Sequence, residues 1–553
     1  MTQGSAACDP PADGGPGSES SGRAAGAETG EGTGTRPSAS RPGLFQRPAS
    51  PRSRRVAYLV WPLACIALAI GYVAWLGPPV FAFDDAYITI HNAQSILAGA
   101  DRNFPTSVPI ASATSAVHLV LITGLMLVLS PIYACYVAGW IAVVLYGWGI
   151  LRLAFLHRAS EGVAALALTL GVAVGLVPYQ LLNGLETGLA MAAGMWVMAL
   201  LADPAEDRRL RVPVLCGLLP YIRPELIAVS GMVALHRAVI LFRRARAEGG
   251  LARTWGMELA LMAAGAAPWA IWYLAASGAP FPVTVGAKKA YFAEASLPLA
   301  EKAERTLYGL YRYLWGTSCL PVAALLWPLS RLGWIPGLFT ISFVGVYFWT
   351  FSGAFSHYDH RYLYVLTPFL VYGVVTLLAA SSRVRRGLAL SLAGTSLLLA
   401  AYQVPSAMRV VLRGHYNVSR NVAGVAEWCN ANLPANATIL VHDAGYIAYA
   451  TDFHLVDLVG LKTPESIPYH RQWTQPSGGA RRADAVDAIA RRFQPDYLIA
   501  LHWWDSLFRI TEGLEDKGWR LDLLRVPQDE NQERDPGFYF VYRLHPPPPE
   551  PDG

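Results

Sequence analysis

Two adjacent carboxylates, Asp84 and Asp85, follow closely on the first long apolar run of this 553-residue chain. Ionisable groups at a membrane edge are costly unless they serve a site. A carboxylate there can take the proton of an incoming hydroxyl, and at the interface it can meet both a lipid-borne group and a polar one. The alternative is that one or both only cap the helix beginning there. Tyr87, Ile88, Ile90, Ala93, Ile96 and Leu97 give that helix an amphipathic pattern, so it would lie along the interface up to Gly99.

Other side chains could serve the same chemistry. Lys288 and Lys289 precede Tyr291 and Phe292; adjacent lysines beside aromatics suit a lipid phosphate, or simply snorkel to headgroups. Arg361 carries a fork of donors that matches phosphate geometry. Glu186 sits between Gly184 and Gly188 in an expected outer turn, where it could bind sugar hydroxyls or favour a helix start. Arg223 and Glu225 flank Pro224 inside an apolar stretch, either shaping a pocket or pairing with each other. His118 reads as a satisfied interior histidine. His442 and Asp443 end a strand, and touch an acceptor or cap a turn. No metal ligands are assigned, although His357, Asp359 and His360 could ligate a divalent cation.

The elements that must position these groups are mostly membrane-spanning. The chain is 53% hydrophobic and 15% charged, against about 25% charged in a soluble domain. Its 17 Trp and 26 Tyr fit interfacial anchoring. Arginines cluster in short loops between apolar runs, the pattern of topology determinants rather than of a nucleic-acid surface. Residues 1–55, rich in Gly, Ser and Pro, are expected to form a disordered cytoplasmic tail. An α-helical polytopic domain over 56–405 follows, with about 11 spans, one of them broken near Arg223. Over 415–545 strand-like and helix-like runs alternate, predicting a small α/β domain on the outer face. A Pro-rich tail, 546–553, ends the chain.

The run Asp84-Asp85-Ala86-Tyr87-Ile88-Thr89, its spacing to Gly99, the Gly184–Gly188 turn, Arg223-Pro224-Glu225 and Arg361-Tyr362-Leu363 resemble the GT-C superfamily of polyprenyl-phosphate-sugar glycosyltransferases. The actinobacterial arabinofuranosyltransferase-like branch, which also has a C-terminal extracytoplasmic domain, is the most similar. The resemblance extends over nearly all of the chain after residue 56. It implies a catalytic Asp in the first external loop, hence Asp84 or Asp85, and a multi-pass protein of a bacterial-type plasma membrane. It further implies a sugar moved from a polyprenyl-phosphate donor to an extracytoplasmic glycan, lipid or protein acceptor of the cell envelope. His91 stands where that family's pattern has an Arg, at the position of a donor-phosphate contact. On this reading Arg361, Lys288, Lys289 and His91 hold the donor phosphate. Glu186, Arg223, Glu225, Tyr87 and His360 shape the pocket. The competing reading is a transporter or lipid-carrier flippase of envelope biogenesis. Only one broken segment is visible, however, without a matching second repeat.

Overall fold

The computed structural model describes residues 48–205, 211–248, 251–380, 382–527 and 535–548. Of the two expected tails, 1–47 and 549–553 lie outside the described residues. The first helix, α1 (Pro51–Leu76), begins five residues before the expected start. Ser50 caps it through the Ser53 amide and Pro51 opens it, so the arginines before Val56 lie in its first turns.

The next elements are α2 (Asp84–Ala98), α3 (Ala116–Leu125), α4 (Pro131–Leu156), α5 (Glu161–Val172), α6 (Val177–Leu181), α7 (Thr187–Leu201) and α8 (Arg211–Ile222). After them come α9 (Ile227–Glu248), α10 (Leu251–Ser277), α11 (Thr284–Phe292), α12 (Leu299–Gly316), α13 (Trp334–Thr350), α14 (Thr367–Leu378) and α15 (Arg383–Tyr416). Among the described residues six helical segments are long and apolar enough to cross a membrane: Pro51–Leu76, Pro131–Leu156, Pro224–Arg243, Trp255–Ser277, Arg361–Leu378 and Arg383–Asn432. Six shorter apolar helices of 10–17 residues accompany them. The apolar stretch 307–329 is divided between α12 and a 3-10 helix, Leu320–Leu329.

Helices α4, α7 and α14 form the centre, and apolar side chains such as Tyr146, Met195 and Phe369 are fully enclosed there. Helix α1 and the span at 255–277 turn apolar side chains outward instead, Leu63 and Ile271 among them. In lipid that exposure carries no hydrophobic penalty. As expected, the long apolar stretch after 211 is broken: α8 ends at Ile222, Pro224–Leu226 forms a 3-10 turn and α9 resumes at Ile227.

Helix α15 runs on through a π turn, Asn417–Val422, into α16 (Ala423–Asn432) and so leads straight into the C-terminal domain. Its sheet has strands β1 (Thr438–Val441), β2 (His454–Asp457), β3 (Tyr497–Leu501), β4 (Arg520–Arg525) and β5 (Tyr539–His545), ordered β2-β1-β3-β5-β4. β1 lies parallel to β2 and β3, while β5 runs antiparallel to β3 and β4. The parallel half has the crossovers such pairing requires, through α17 (Tyr446–Ala450) and then α18 (Ile467–Tyr469) with α19 (Arg482–Phe493). Helix α20 (His502–Phe508) follows β3 directly.

A buried polar clamp joins this domain to the segment after α2. Lys462 Nζ, fully enclosed, donates to Asp101 Oδ2 at 2.6 Å and Asn92 Oδ1 at 2.5 Å. The Asn103 amide donates to the carbonyls of Thr451 and Phe453 at 2.8 and 3.0 Å. A buried ammonium is tolerated only with such partners.

Candidate active site

Helix α2 places its two carboxylates on different neighbours. Neither caps α2, whose N-cap is Phe83 with no side-chain bond. Asp84 instead accepts two backbone bonds from the start of α17, Gly445 N at 2.8 Å and Tyr446 N at 2.7 Å. A Cβ on Gly445 would lie 2.1 Å from the Asp84 carbonyl oxygen, so this approach needs glycine. Burial, and next the Asp443 carboxylate, push the Asp84 carboxyl well above its ordinary range; the two amides offset this in part.

Asp85 faces cations. Its Oδ2 accepts from Arg361 Nη2 at 2.6 Å and from Lys288 Nζ at 3.1 Å. Burial works against its charge, but Lys288, Arg361 and His357 outweigh it and hold Asp85 below the usual carboxylate range. Lys288, on α11, stays charged because Asp85 overcomes its own burial. The Arg361 guanidinium also lies over the rings of Tyr358 and Tyr362, at 4.8 and 5.0 Å.

Three cavities meet at this ion triad, and Lys288 lines all of them. The largest, about 410 Å³, is walled mainly by apolar side chains of α9, α11 and α13, such as Ile227, Val285, Phe343 and Val346. Lys289 and Glu225 border it as well. A small polar cavity, about 20 Å³, holds Asp85, Glu186, Thr284 and Arg361. The third, about 30 Å³, lies against the C-terminal domain and is lined by Asp84, Asp85, His357, His442, Asp443 and Trp504 among others.

The remaining expected residues divide. Glu186 is 3.7 Å from Arg223, and Arg223 Nε donates to Glu225 at 3.1 and 3.2 Å; the anticipated pairing is present and Tyr347 extends it. The turn holding Glu186 depends on Gly184, whose φ of 80° and closeness to Phe81 and Ala86 leave no space for a Cβ. Three assignments are not supported by position. His91 is buried in the clamp, 3.0 Å from Asn103 Oδ1, and lines none of the cavities. Burial, followed by Lys462, lowers it to about 4, and a neutral imidazole offers a phosphate no charge. Tyr87 packs against Tyr446 and Tyr449 and receives the Phe81 amide, joining α2 to α17 rather than lining a cavity. His360 bonds the Phe355 carbonyl at 2.6 Å, away from the triad. Among the described residues no three His, Cys, Asp or Glu side chains gather as a metal site. His118 bonds the Gly184 carbonyl at 3.2 Å, the interior role expected of it. Thr114, Thr284, Phe292, Tyr358 and Trp504 line the cavities without any sequence signal of their own.

Residues 411–539 match a domain of unknown function, DUF8728. No curated protein matches the chain. Among solved structures, ArnT from Cupriavidus metallidurans bound to undecaprenyl phosphate is similar at a TM-score of 0.51 and 14% identity, over 89% of this chain and 98% of that one. Its apo state gives 0.49 and 15%, over 88% and 98%. The arabinofuranosyltransferase AftD from mycobacteria gives 0.46 and 17%, over 92% of this chain and 41% of the longer protein. The first of these shows likeness of fold. This chain is a polytopic α-helical membrane protein of GT-C-like fold with a small C-terminal α/β domain.

Proposed function

We propose that the protein is a membrane glycosyltransferase that moves a sugar from a polyprenyl-phosphate donor to an extracytoplasmic acceptor hydroxyl. The observation that carries this reading is the arrangement around Asp85. An apolar cavity of about 410 Å³ reaches Lys288, which shares the Asp85 carboxylate with Arg361, and two small cavities, of about 20 and 30 Å³, border that same carboxylate. A lipid chain, a phosphate and a hydroxyl need those three environments in that order. The fold neighbour bound to undecaprenyl phosphate lends support.

The acceptor oxygen attacks the anomeric carbon while the bond from that carbon to the phosphate oxygen breaks. The phosphate leaves with the electron pair, and Lys288, Lys289 and Arg361 neutralise it. The hydroxyl proton passes to Asp85, whose basicity rises once the phosphate draws the two cations off it. Asp84 fixes the helix that presents Asp85. Glu186, Arg223 and Glu225 shape the donor side.

The test uses purified protein in lipid nanodiscs with labelled polyprenyl-phosphate pentoses and hexoses. Carrier phosphate should be released with one sugar class, and release should fall at least a hundredfold in Asp85→Asn. Full activity in Asp85→Asn would overturn the assignment. Flux of intact lipid carrier across sealed vesicles without sugar transfer would favour the flippase reading.

A further inference from the structure

The cavity between α2 and the C-terminal domain contains a histidine that the donor chemistry does not use. His442 follows β1, is buried, and lines this cavity together with Asp85. Its Nδ1 is 3.2 Å from Asp443 Oδ1, and Asp443 Oδ2 accepts from the Tyr539 hydroxyl at 2.7 Å. Facing a carboxylate, Nδ1 carries the hydrogen, and Nε2 is left with a lone pair. Among the described residues nothing meets Nε2, although it is shielded from solvent. A buried ring nitrogen without a partner calls for an explanation, and this one belongs to a residue that lines a cavity, where a ligand can complete it.

The surroundings indicate what kind of ligand. The His442 ring packs against Trp504 at 4.6 Å, and Trp504 stacks on Phe508 at 5.0 Å. Phe292 and Tyr358 complete an aromatic wall, which suits the C–H faces of a sugar. A volume of about 30 Å³ admits roughly two water-sized groups. Asp85 and His442 both line it.

We infer that this cavity binds two hydroxyls of one carbohydrate acceptor, the reacting one at Asp85 and a second at His442 Nε2. The acceptor is therefore a polyhydroxylated sugar, rather than a lone protein or lipid alcohol. This rests on the glycosyltransferase reading only for the role of Asp85. His442 is a specificity-determining contact, Asp443 sets its tautomer, and Tyr539 holds Asp443.

The test is binding of methyl glycosides of pentoses and hexoses, with their monodeoxy analogues, to the full-length protein in nanodiscs by saturation-transfer NMR. A parent glycoside should bind about tenfold more tightly than one of its monodeoxy analogues, the worth of one buried hydrogen bond. In His442→Ala the two should bind alike, and Trp504→Ala should weaken both. Trp503→Ala, an exposed neighbour, should change neither. Equal binding of parent and every deoxy analogue by wild type, discrimination that survives in His442→Ala, or no glycoside binding at all would overturn the inference. Polyprenyl-phosphate binding is measured in the same samples; its retention shows that the variants are folded. Because the binding series needs no turnover, it succeeds or fails independently of the donor assay.

Discussion

Replacing Asp85 by Asn should have opposite effects on binding and on chemistry. The amide keeps the carboxylate's size and removes a charge that Lys288 and Arg361 share at 3.1 and 2.6 Å. A donor phosphate resting on the same two cations would sit about 6 Å from Asp85, repelled by about 0.7 kcal/mol in a water-like medium and about 2.8 at an effective dielectric of 20. Taking about 1.4 kcal/mol between these limits, Asp85→Asn should tighten polyprenyl-phosphate binding about tenfold. Turnover should nevertheless fall by about 10²–10⁴, because the group placed to take the hydroxyl proton is gone. The assay is Kd for polyprenyl phosphate in nanodiscs beside single-turnover sugar transfer. Weaker phosphate binding in the variant would refute the claim that Lys288 and Arg361 hold Asp85 in trust for the phosphate. Unchanged turnover would refute the proton role.

Lys288→Ala should weaken polyprenyl-phosphate binding at least tenfold and flatten its salt dependence, read from titrations at two ionic strengths. Arg361→Lys, which keeps the charge but loses the fork, should fall between wild type and Lys288→Ala in the same titration. Gly445→Ala drives a methyl into the Asp84 backbone and should lower the thermal midpoint, by an amount typical of about 2 kcal/mol or more, whereas Gly424→Ala, whose methyl would meet only Arg525 Nη2 at an ordinary contact distance of 3.7 Å, should not. Acid should destabilise the clamp. His91 is held at about 4 when folded against 6.5 when unfolded, so the unfolded chain takes up a proton in that window that the buried ring refuses. Stability should therefore fall between pH 6.5 and 4 by up to about 3 kcal/mol. The difference between wild type and His91→Gln in thermal midpoint, followed over that range, checks it.

What the sequence discloses here follows from how local each cause is. The spans at 131–156 and 255–277 are visible because twenty or so apolar residues in one dimension already meet the bilayer's length requirement. The break at Arg223-Pro224-Glu225 is visible because proline removes a helical donor locally. β1, β2 and β3 are short apolar runs between polar segments, within the stretch 415–545 where strand-like and helix-like runs alternate. Position 91 misled because a family pattern fixes where a residue sits along α2 and not which way it turns; His91 points to Asn103, whose partners lie some 350 residues later. Trp504 gave no signal for a related reason. Its significance comes from α11 and the end of β1 reaching it from distant parts of the chain.

The Asp84-Asp85 pair shows where that boundary lies. Consecutive residues on a helix point about 100° apart, so two neighbouring carboxylates cannot share one environment unless the helix end is irregular. Here their bonding partners diverge, although both border the small cavity against the C-terminal domain: Asp84 binds the amides that open α17, and Asp85 binds the cations of α11 and of the turn before α14. One carboxyl is thereby pushed above its ordinary range and the other held below it. The doubling in sequence is thus a division of labour in space. One Asp ties the amphipathic helix to the C-terminal domain, and that tie sets the position of the other beside Lys288, where it lines the two small cavities while Lys288 also borders the large apolar one. A loss of activity in Asp84→Asn would follow from this geometry even though Asp84 takes up no proton in the proposed step. The two roles separate in the binding assay, since Asp84→Asn should not tighten polyprenyl phosphate as Asp85→Asn does.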